Sequence, residues 1–430
     1  MSHVLVIGSG ARAHALAWKL VQSPHVSRLS VAPGNGGTAT LPRVQNIPID
    51  ATDVVSLLDF AESERVDLTV VGPEEPLAGG LVDQFEAAGL RIFGPRRAAA
   101  LIEASKSYAK RLMERCGVPT PPYEVFTDLE TALDYVMTQP VYDLVIKADG
   151  LARGKGVFLP HGEADAEGIL RALLERDALG PAGRRVIIER RLSGQEVSVH
   201  AFTDGESLAL MPTLCDYKRL LDADEGPNTG GMGAVTPVST LTPALLDQIS
   251  ERILRPILAE LCAEGLRFKG VLYVDVMVVD GEPLALALNS RIGDPAAPTI
   301  LPLLETDLFE VLQACVNEHL REVKVRWHAG AAVTVVLTTA GYPYRRDPEL
   351  PIRLGPLPDG VLAFHSGTRR TADGSLLTTG GRIMSITGLG QDPTIAATRA
   401  YQGVAQVSFA GMHYRRDIGP CQYAPTTEAV

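Results

Sequence analysis

The chain is short of cysteine, short of positive charge and without a long apolar run, and each shortage removes a class of protein. Cys116, Cys215, Cys262, Cys315 and Cys421 are the five cysteines of 430 residues, far apart and with no Cys-x-x-Cys pair. Neither a disulfide framework nor a thiolate metal site is expected, and the thiols read as ordinary ones in a reducing cytoplasm. No stretch reaches the about 18 consecutive apolar residues that suggest a membrane-spanning helix. Met1 to Gly8 enters a strand pattern at once, with no basic segment ahead of a long apolar one, so no secretory signal is expected. Lys and Arg total 40 against 51 Asp and Glu, a net charge of −11, which argues against a broad nucleic-acid surface. The nine histidines are scattered and enter no Ser/His/Asp or Cys/His arrangement, so no activated nucleophile is legible.

What is present is the composition of a soluble globular protein, 46% hydrophobic and 21% charged, in a chain long enough for several domains. The first hundred residues alternate apolar strands with helices. Val4–Ile7, Leu29–Ala32 and Leu68–Val71 each stop at a glycine-rich turn, as in a parallel sheet with ligands beyond its carboxyl ends. Residues 120–190 hold strands around a second kind of glycine-rich loop. A long helical pattern follows near 243–265, then two alternating apolar runs, 271–279 and 283–289, about the hairpin signal Asp280-Gly281. Past about residue 325 a smaller β-rich module begins, and the tail after Gly419 reads as loosely ordered.

The chemistry suggested by these loops is phosphate chemistry. Gly8-Ser9-Gly10-Ala11-Arg12 joins a strand to a helix, so its amides can meet an anion or serve only as a tight turn. A nicotinamide fingerprint is incomplete, because Ala13 stands where a third glycine would be and no acid follows Ala32. The loop 149–156 is not a Walker-type P-loop, but its glycines, with Lys147 and Lys155, suit a lid over a triphosphate. Residues 216–233 form a polar, glycine-dense stretch too long for a simple turn. Asn289, Arg291 and Asp294 bring an amide, a guanidinium and a carboxylate to the end of the hairpin, where they suit a metal and an anionic substrate or form only a structural Arg–Asp pair. Phosphate cradles without a nucleophile point to phosphoryl transfer, where positioning and charge stabilisation do most of the catalysis.

These residues are similar to those of one family. Val70-Val-Gly-Pro-Glu-Glu-Pro-Leu, Ser105-Lys106, Ile146-Lys-Ala-Asp-Gly-Leu-Ala, Gly154-Lys-Gly, Gly226-Pro-Asn-Thr-Gly-Gly-Met-Gly-Ala, Arg291 with Gly293-Asp-Pro, Ala340-Gly-Tyr-Pro, Thr379-Gly-Gly-Arg and Tyr414-Arg-Arg-Asp-Ile-Gly run along nearly the whole chain. The chain resembles the phosphoribosylamine–glycine ligases, ATP-grasp enzymes of purine biosynthesis. The resemblance implies an α/β and α+β multidomain chain: an N-terminal Rossmann-like domain (1–104), an ATP-grasp domain (105–322, lid about 122–188) and a β-rich C-terminal domain (326–424). It implies ATP and Mg2+ or Mn2+ as cofactors, and glycine and phosphoribosylamine, or analogues, as small-molecule substrates joined through an acyl phosphate. It further implies a cytoplasmic monomer or weak homodimer, with no nucleic acid and no membrane.

Carried over by position, Lys106, Lys147, Gly150, Gly154, Lys155 and Gly156 are implied to bind ATP phosphates, Glu189 and Leu192 to lie in the hinge at adenine, and Glu196 to bind ribose. Gly10, Arg12, Glu74, Glu75, Asp216, Lys218, Arg219, Asn228, Gly230, Gly231 and Arg291 are implied to bind substrate, with Arg291, Asp294 and Lys218 catalytic. Several positions depart from the family pattern: Ala11 replaces a glycine, Ala13, Ala287 and Ala296 replace carboxylates, and Tyr217 replaces a histidine. These losses are expected on loops facing the reaction centre, so a paralogue with a different amine or carboxylate, or an inactive nucleotide-binding homologue, remains a reading beside the glycine ligase. Ala287 stands for a metal-binding glutamate, while Asp275 stands where a small residue is usual. Counted from Asp280-Gly281 the two positions are near-opposite, so Asp275 is either the relocated metal ligand beside Asn289 or merely an exposed acid.

Overall fold

The computed structural model describes residues 1–152 and 154–419; Arg153, Cys421 and the rest of the tail after Gly419 lie outside the described residues. The N-terminal part is a five-stranded parallel sheet in the order Val44–Asn46, Val26–Pro33, Ser2–Gly8, Leu68–Val71, Ile92–Phe93. Val4 to Ile7 and Leu68 to Val71 are all buried, the near-continuous burial that a sheet covered on both faces requires. Strand order reverses between Ser2–Gly8 and Leu68–Val71, which opens a crevice beyond Gly8 and Val71. The helix Ala11–Leu20 starts at that crevice, and so does the short helix Glu74–Gly79.

Two antiparallel sheets follow. The first has the order Tyr123–Phe126, Val186–Arg190, Leu144–Ala148, Val157–Phe158, and packs on the helices Leu129–Met137 and Glu163–Leu170 through Ala132, Val136, Ala166, Leu170, Ile146 and Ile188. The second has the order Leu208–Leu210, Gln195–Thr203, Gly270–Val279, Glu282–Asn289. Its buried face, with Val197, Val199, Leu272, Val274 and Val276, packs on the helix Lys106–Arg115 and on helical residues 243–263. Asp280 and Gly281 both have positive φ, 50° and 84°, the backbone that an Asp-Gly hairpin turn adopts. Asp275 pairs with Ala287 and Val276 with Ala285, so Leu286 is an extra residue, a bulge that re-aims the end of the strand.

The stretch 216–233, read as one long loop, is instead two short hairpin arms, Arg219–Leu221 and Glu225–Asn228, flanked by the strands Cys215–Asp216 and Gly233–Thr236. The reason lies far along the chain. Arg415, buried to 1% exposure, donates to Asp224 at 2.5 Å and to Asp417 at 2.7 and 2.8 Å, and the Arg416 amide donates to Asp222 at 2.8 Å. These contacts brace a turn in which Ala223 and Asp224 both have positive φ.

The flanking strands complete a five-stranded sheet in the order Cys215–Asp216, Gly233–Thr236, Ala331–Thr338, Arg382–Gly390, Val361–His365. The helix Pro393–Val404 lies against it so closely that a Cβ at Gly388 would overlap the Ala396 carbonyl and the Ala400 amide. Crowding of that order costs about 1–3 kcal/mol when it is forced on a packed interior. We predict that Gly388→Ala lowers unfolding stability by at least the lower end of this range, read from the urea midpoint at unchanged slope.

Candidate active site

A single cavity of about 880 Å3 is walled by the N-terminal crevice, both antiparallel sheets, the 216–230 segment and the C-terminal sheet. Arg291, just past the hairpin, reaches two acids from the N-terminal half. Its Nε donates to Glu74 Oε2 at 3.1 Å and its Nη2 lies 2.7 Å from Glu103 Oε1. Arg12 adds a second cation 3.4 Å from Glu74 and donates to the Ile292 carbonyl at 3.1 Å. Burial alone would raise the Glu74 carboxyl, but Arg291 and Arg12 outweigh it and hold it down at about 2. Glu103 is pushed up by deeper burial, although Ser290 donates to it through both its amide, at 2.8 Å, and its hydroxyl, at 2.7 Å.

On the opposite side Glu189 is buried between Lys147 and Lys110, the latter 2.7 Å away. Burial opposes its charge, but the two lysines lower its carboxyl pKa overall. Its side chain is thus committed to holding Lys147 and Lys110. Lys147 also donates to the Leu286 carbonyl at 3.4 Å, which ties it to the bulge. Lys106 donates to the carbonyls of Ala148 and Gly150, at 2.9 and 3.1 Å, and burial lowers its pKa to about 8. Gly154 sits with φ +78° against Thr229 and Gly230, and Asn228 donates to the Val157 carbonyl at 3.3 Å, so the glycine loop rests on the 228–230 segment.

The second antiparallel sheet forms the floor. Cross-strand register puts His200, Tyr273 and Asn289 in one row and Ser198, Asp275 and Ala287 in the next, so Asp275 and Ala287 are directly opposite. Asp275 is buried, not merely exposed. Its Oδ1 accepts from Tyr273 at 2.7 Å and Ser198 at 2.8 Å, and lies 3.2 Å from the Lys218 ammonium, which also pairs with Glu196. Burial would raise Asp275, yet Lys218 and the two hydroxyls lower it overall. Asp216 borders the same space. It makes no side-chain hydrogen bond with the other described residues, its Oδ1 is shut off from water, and burial lifts its carboxyl to about 7.

Leu192, Glu75, Arg219, Gly156 and Asp294 also line the cavity, with Arg219 donating to the Gly226 carbonyl at 2.6 Å. Gly10, Gly150, Lys155 and Gly231 do not reach its wall, and Lys155 is exposed. A Cβ at Gly10 would stand 3.2 Å from Asp294 Oδ2, and the first amide of that helix, Ala11 N, is already taken by Ser366 Oγ at 2.8 Å. Two departures turn out not to face the cavity. Ala13 is core, packed beneath Gly8, and Tyr217 turns its hydroxyl to the Gly419 carbonyl at 2.9 Å and its ring to Arg415. Ala287 and Ala296 do line it. Residues with no assigned role in the sequence reading complete the site: Glu103, Lys110, Tyr273 and Arg382. Arg382 reaches in from the C-terminal sheet to the carbonyls of Gly230, at 2.6 Å, and Asp294, at 2.9 Å. Its signal was the Thr379-Gly-Gly-Arg string; Glu103 had none beyond its place two residues before Ser105-Lys106.

Residues 2–103, 104–297 and 332–421 match, in turn, the N domain, the ATP-grasp (A) domain and the C domain of phosphoribosylglycinamide synthetase. The chain belongs to this family. Phosphoribosylamine–glycine ligase of Chlorobaculum tepidum is 44% identical over 420 residues, 97% of this chain and 99% of that one. The trifunctional purine biosynthetic protein adenosine-3 of Gallus gallus is 43% identical over 419 residues, which is 42% of that protein. Among solved structures, phosphoribosylamine–glycine ligase of Thermotoga maritima superposes with a TM-score of 0.81 at 32% identity, over 97% of this chain and 100% of that one. A biotin carboxylase domain from Hydrogenobacter thermophilus shares the fold at a TM-score of 0.73 and 16% identity, over 96% and 91%. The multidomain ATP-grasp fold expected from the sequence is therefore the fold of this synthetase family member.

The solitary acid yields a test of the site's electrostatics. Asp216 has a folded-state pKa raised above its unfolded value, so the native state binds more protons than the unfolded one between roughly pH 4 and 7 and loses stability as pH rises through that window. Asp216→Asn removes the penalty. The ligand-free variant should unfold at higher denaturant than the wild type at pH 8, and the gain should shrink steadily as pH falls toward 4.

Proposed function

We propose that this chain is the ATP-dependent ligase that joins glycine to 5-phosphoribosylamine, giving glycinamide ribonucleotide, ADP and phosphate. The observation that carries this is full-length membership of the family together with a cavity in which Arg291 is held between Glu74 and Glu103. The glycine carboxylate takes the γ-phosphoryl group of ATP and ADP leaves. The sugar amine then attacks the acyl carbon, and phosphate leaves with one proton released. No enzyme nucleophile is required, so the residues work by charge and placement.

Lys147 and Lys106 lie on the nucleotide side, with Gly154 and Gly156 in the covering loop and Leu192, Glu196 and the Glu189 backbone beside adenosine. Arg12, Glu74, Glu75, Asn228 and Gly230 lie on the sugar side, where Arg291 and Lys218 meet the anionic centre. For a divalent cation the floor offers the Asn289 amide oxygen and, one row away, the Asp275 carboxylate; its Oδ1 already meets Lys218, Tyr273 and Ser198, so an ion would take the other oxygen. Hard cations take such oxygens and keep several waters. When bound, the ion would neutralise phosphate charge. In this reading the chain is a cytoplasmic enzyme acting on small molecules, as a monomer or weak homodimer.

Purified protein given ATP, magnesium, glycine and phosphoribosylamine should release one ADP per glycinamide ribonucleotide; no release with this pair sinks the assignment. Arg291→Ala should cost at least about 100-fold in kcat, the scale of losing one charge-stabilising group. Asp275→Ala should weaken Mn2+ binding to the ADP-loaded protein, read by electron paramagnetic resonance, by at least about tenfold. Adding Ala287→Glu to that variant should restore it. Unchanged Mn2+ binding would remove Asp275 from the metal site.

A further inference from the structure

Two strings of the C-terminal module, Ala340-Gly-Tyr-Pro and Thr379-Gly-Gly-Arg, converge on one glycine of the cavity wall. Tyr342 Oη accepts from the Gly230 amide at 2.9 Å, and Arg382 Nη1 donates to the Gly230 carbonyl at 2.6 Å. Both polar groups of that backbone are thus held from the C-terminal module. The Tyr342 ring in turn packs so tightly on Gly381 that a Cβ there would stand 2.5 Å from its Cδ2. Next door, Thr229 donates to the Lys218 carbonyl through its amide, at 2.8 Å, and its hydroxyl, at 2.9 Å. Gly154 of the covering loop rests on this braced segment, backbone on backbone. A Cβ at Gly154 would stand 2.8 Å from the Thr229 carbonyl and 3.0 Å from Gly230 N and Cα. A contact made without side chains has no slack to take up a shift. The fit of the loop therefore depends on where Gly230 stands.

That contact matters because an acyl phosphate has a second, unwanted nucleophile in water. The water oxygen bonds to the acyl carbon and the bond from that carbon to the phosphate oxygen breaks. Glycine, phosphate and one proton are then returned, and ATP has been hydrolysed without an amide. Enclosed sites suppress this side reaction by excluding water. We propose that Tyr342 is a positioning residue: its hydroxyl sets Gly230 as the seat for Gly154 and so keeps water from the acyl phosphate. This rests on the glycine-ligase reading above. Arg382 holds the other end of the same glycine but also lines the cavity, whereas Tyr342 stands behind the wall and acts through Gly230.

The experiment compares wild type with Tyr342→Phe, which keeps the ring on Gly381 and removes the hydroxyl. ADP and glycinamide ribonucleotide are counted in the same reaction, with and without glycine. Glycine-dependent release of ADP without product should rise about 2- to 10-fold over wild type, the weight of one neutral hydrogen bond. The KM for ATP should stay put, and in heavy-oxygen water the glycine recovered from the variant should carry the label in its carboxylate. Should Tyr342→Phe not fold, Gly230→Ala displaces the same seat and decides in its place. Its Cβ would stand 3.3 Å from both Tyr342 Oη and Arg382 Cζ. Uncoupled release no greater than that of wild type overturns the proposal, whatever happens to kcat. So does extra release that needs no glycine, which would put the water at ATP itself. If the wild type makes no glycinamide ribonucleotide, the ligase reading fails and this proposal with it; a working wild type beside an equally coupled variant refutes Tyr342 alone.

Discussion

Everything in the site depends on keeping one guanidinium where it is. Arg291 leaves the hairpin and is clamped by Glu74, from the crevice of the parallel sheet, and by Glu103, from the helix that precedes Lys106. Buried ion pairs are poor sources of net stability, because desolvation offsets most of the attraction. What the clamp provides is registration: the N-terminal sheet, the lysine-bearing helices and the floor are locked at one charged point. Glu189 plays the same part for Lys147, and Glu196 with Asp275 for Lys218. The cavity is thus lined with cations that are each held in place before any anion arrives, the preorganisation that phosphoryl chemistry needs.

Much of this was legible in the sequence for definite physical reasons. The strands ended at glycine turns because parallel strands are continuously apolar and their loops are not, so Val4–Ile7 and Leu68–Val71 were readable within a residue or two. Asp280-Gly281 announced the hairpin, and counting from it put Asp275 only near Ala287; the bulge at Leu286, which brings the two directly opposite, was not legible. The hairpin about Asp222–Asp224 was not legible, since it depends on Arg415 and Asp417, nearly two hundred residues away. Nor was the ion-pair roster. Glu103 sits in an ordinary helical pattern, and nothing local says that its carboxylate meets Arg291 rather than water.

The departures from the family pattern divide by location once the side chains are placed. Ala13 sits under the first strand and Tyr217 fastens the chain near Gly419, so neither changes what a substrate would meet. Ala287 and Ala296 lie on the cavity wall, and at the first of these an acid stands directly across the strand pair. The two positions share one face of one sheet, so a carboxylate lost from one strand and present on the other leaves the charge of the floor unchanged.

The sheet that carries Arg382 has a consequence for how the molecule comes into being. Its strands Cys215–Asp216 and Gly233–Thr236 come from the middle of the chain, while their partners Ala331–Thr338 and Arg382–Gly390 come from near its end. A chain that ends shortly after Asp294 carries the lysines, Arg291 with its two acids and the floor strands, but has no partner for the edge at Gly233–Thr236 and no guanidinium for the carbonyls of Gly230 and Asp294. The site is therefore completed last, by the final quarter of the polypeptide.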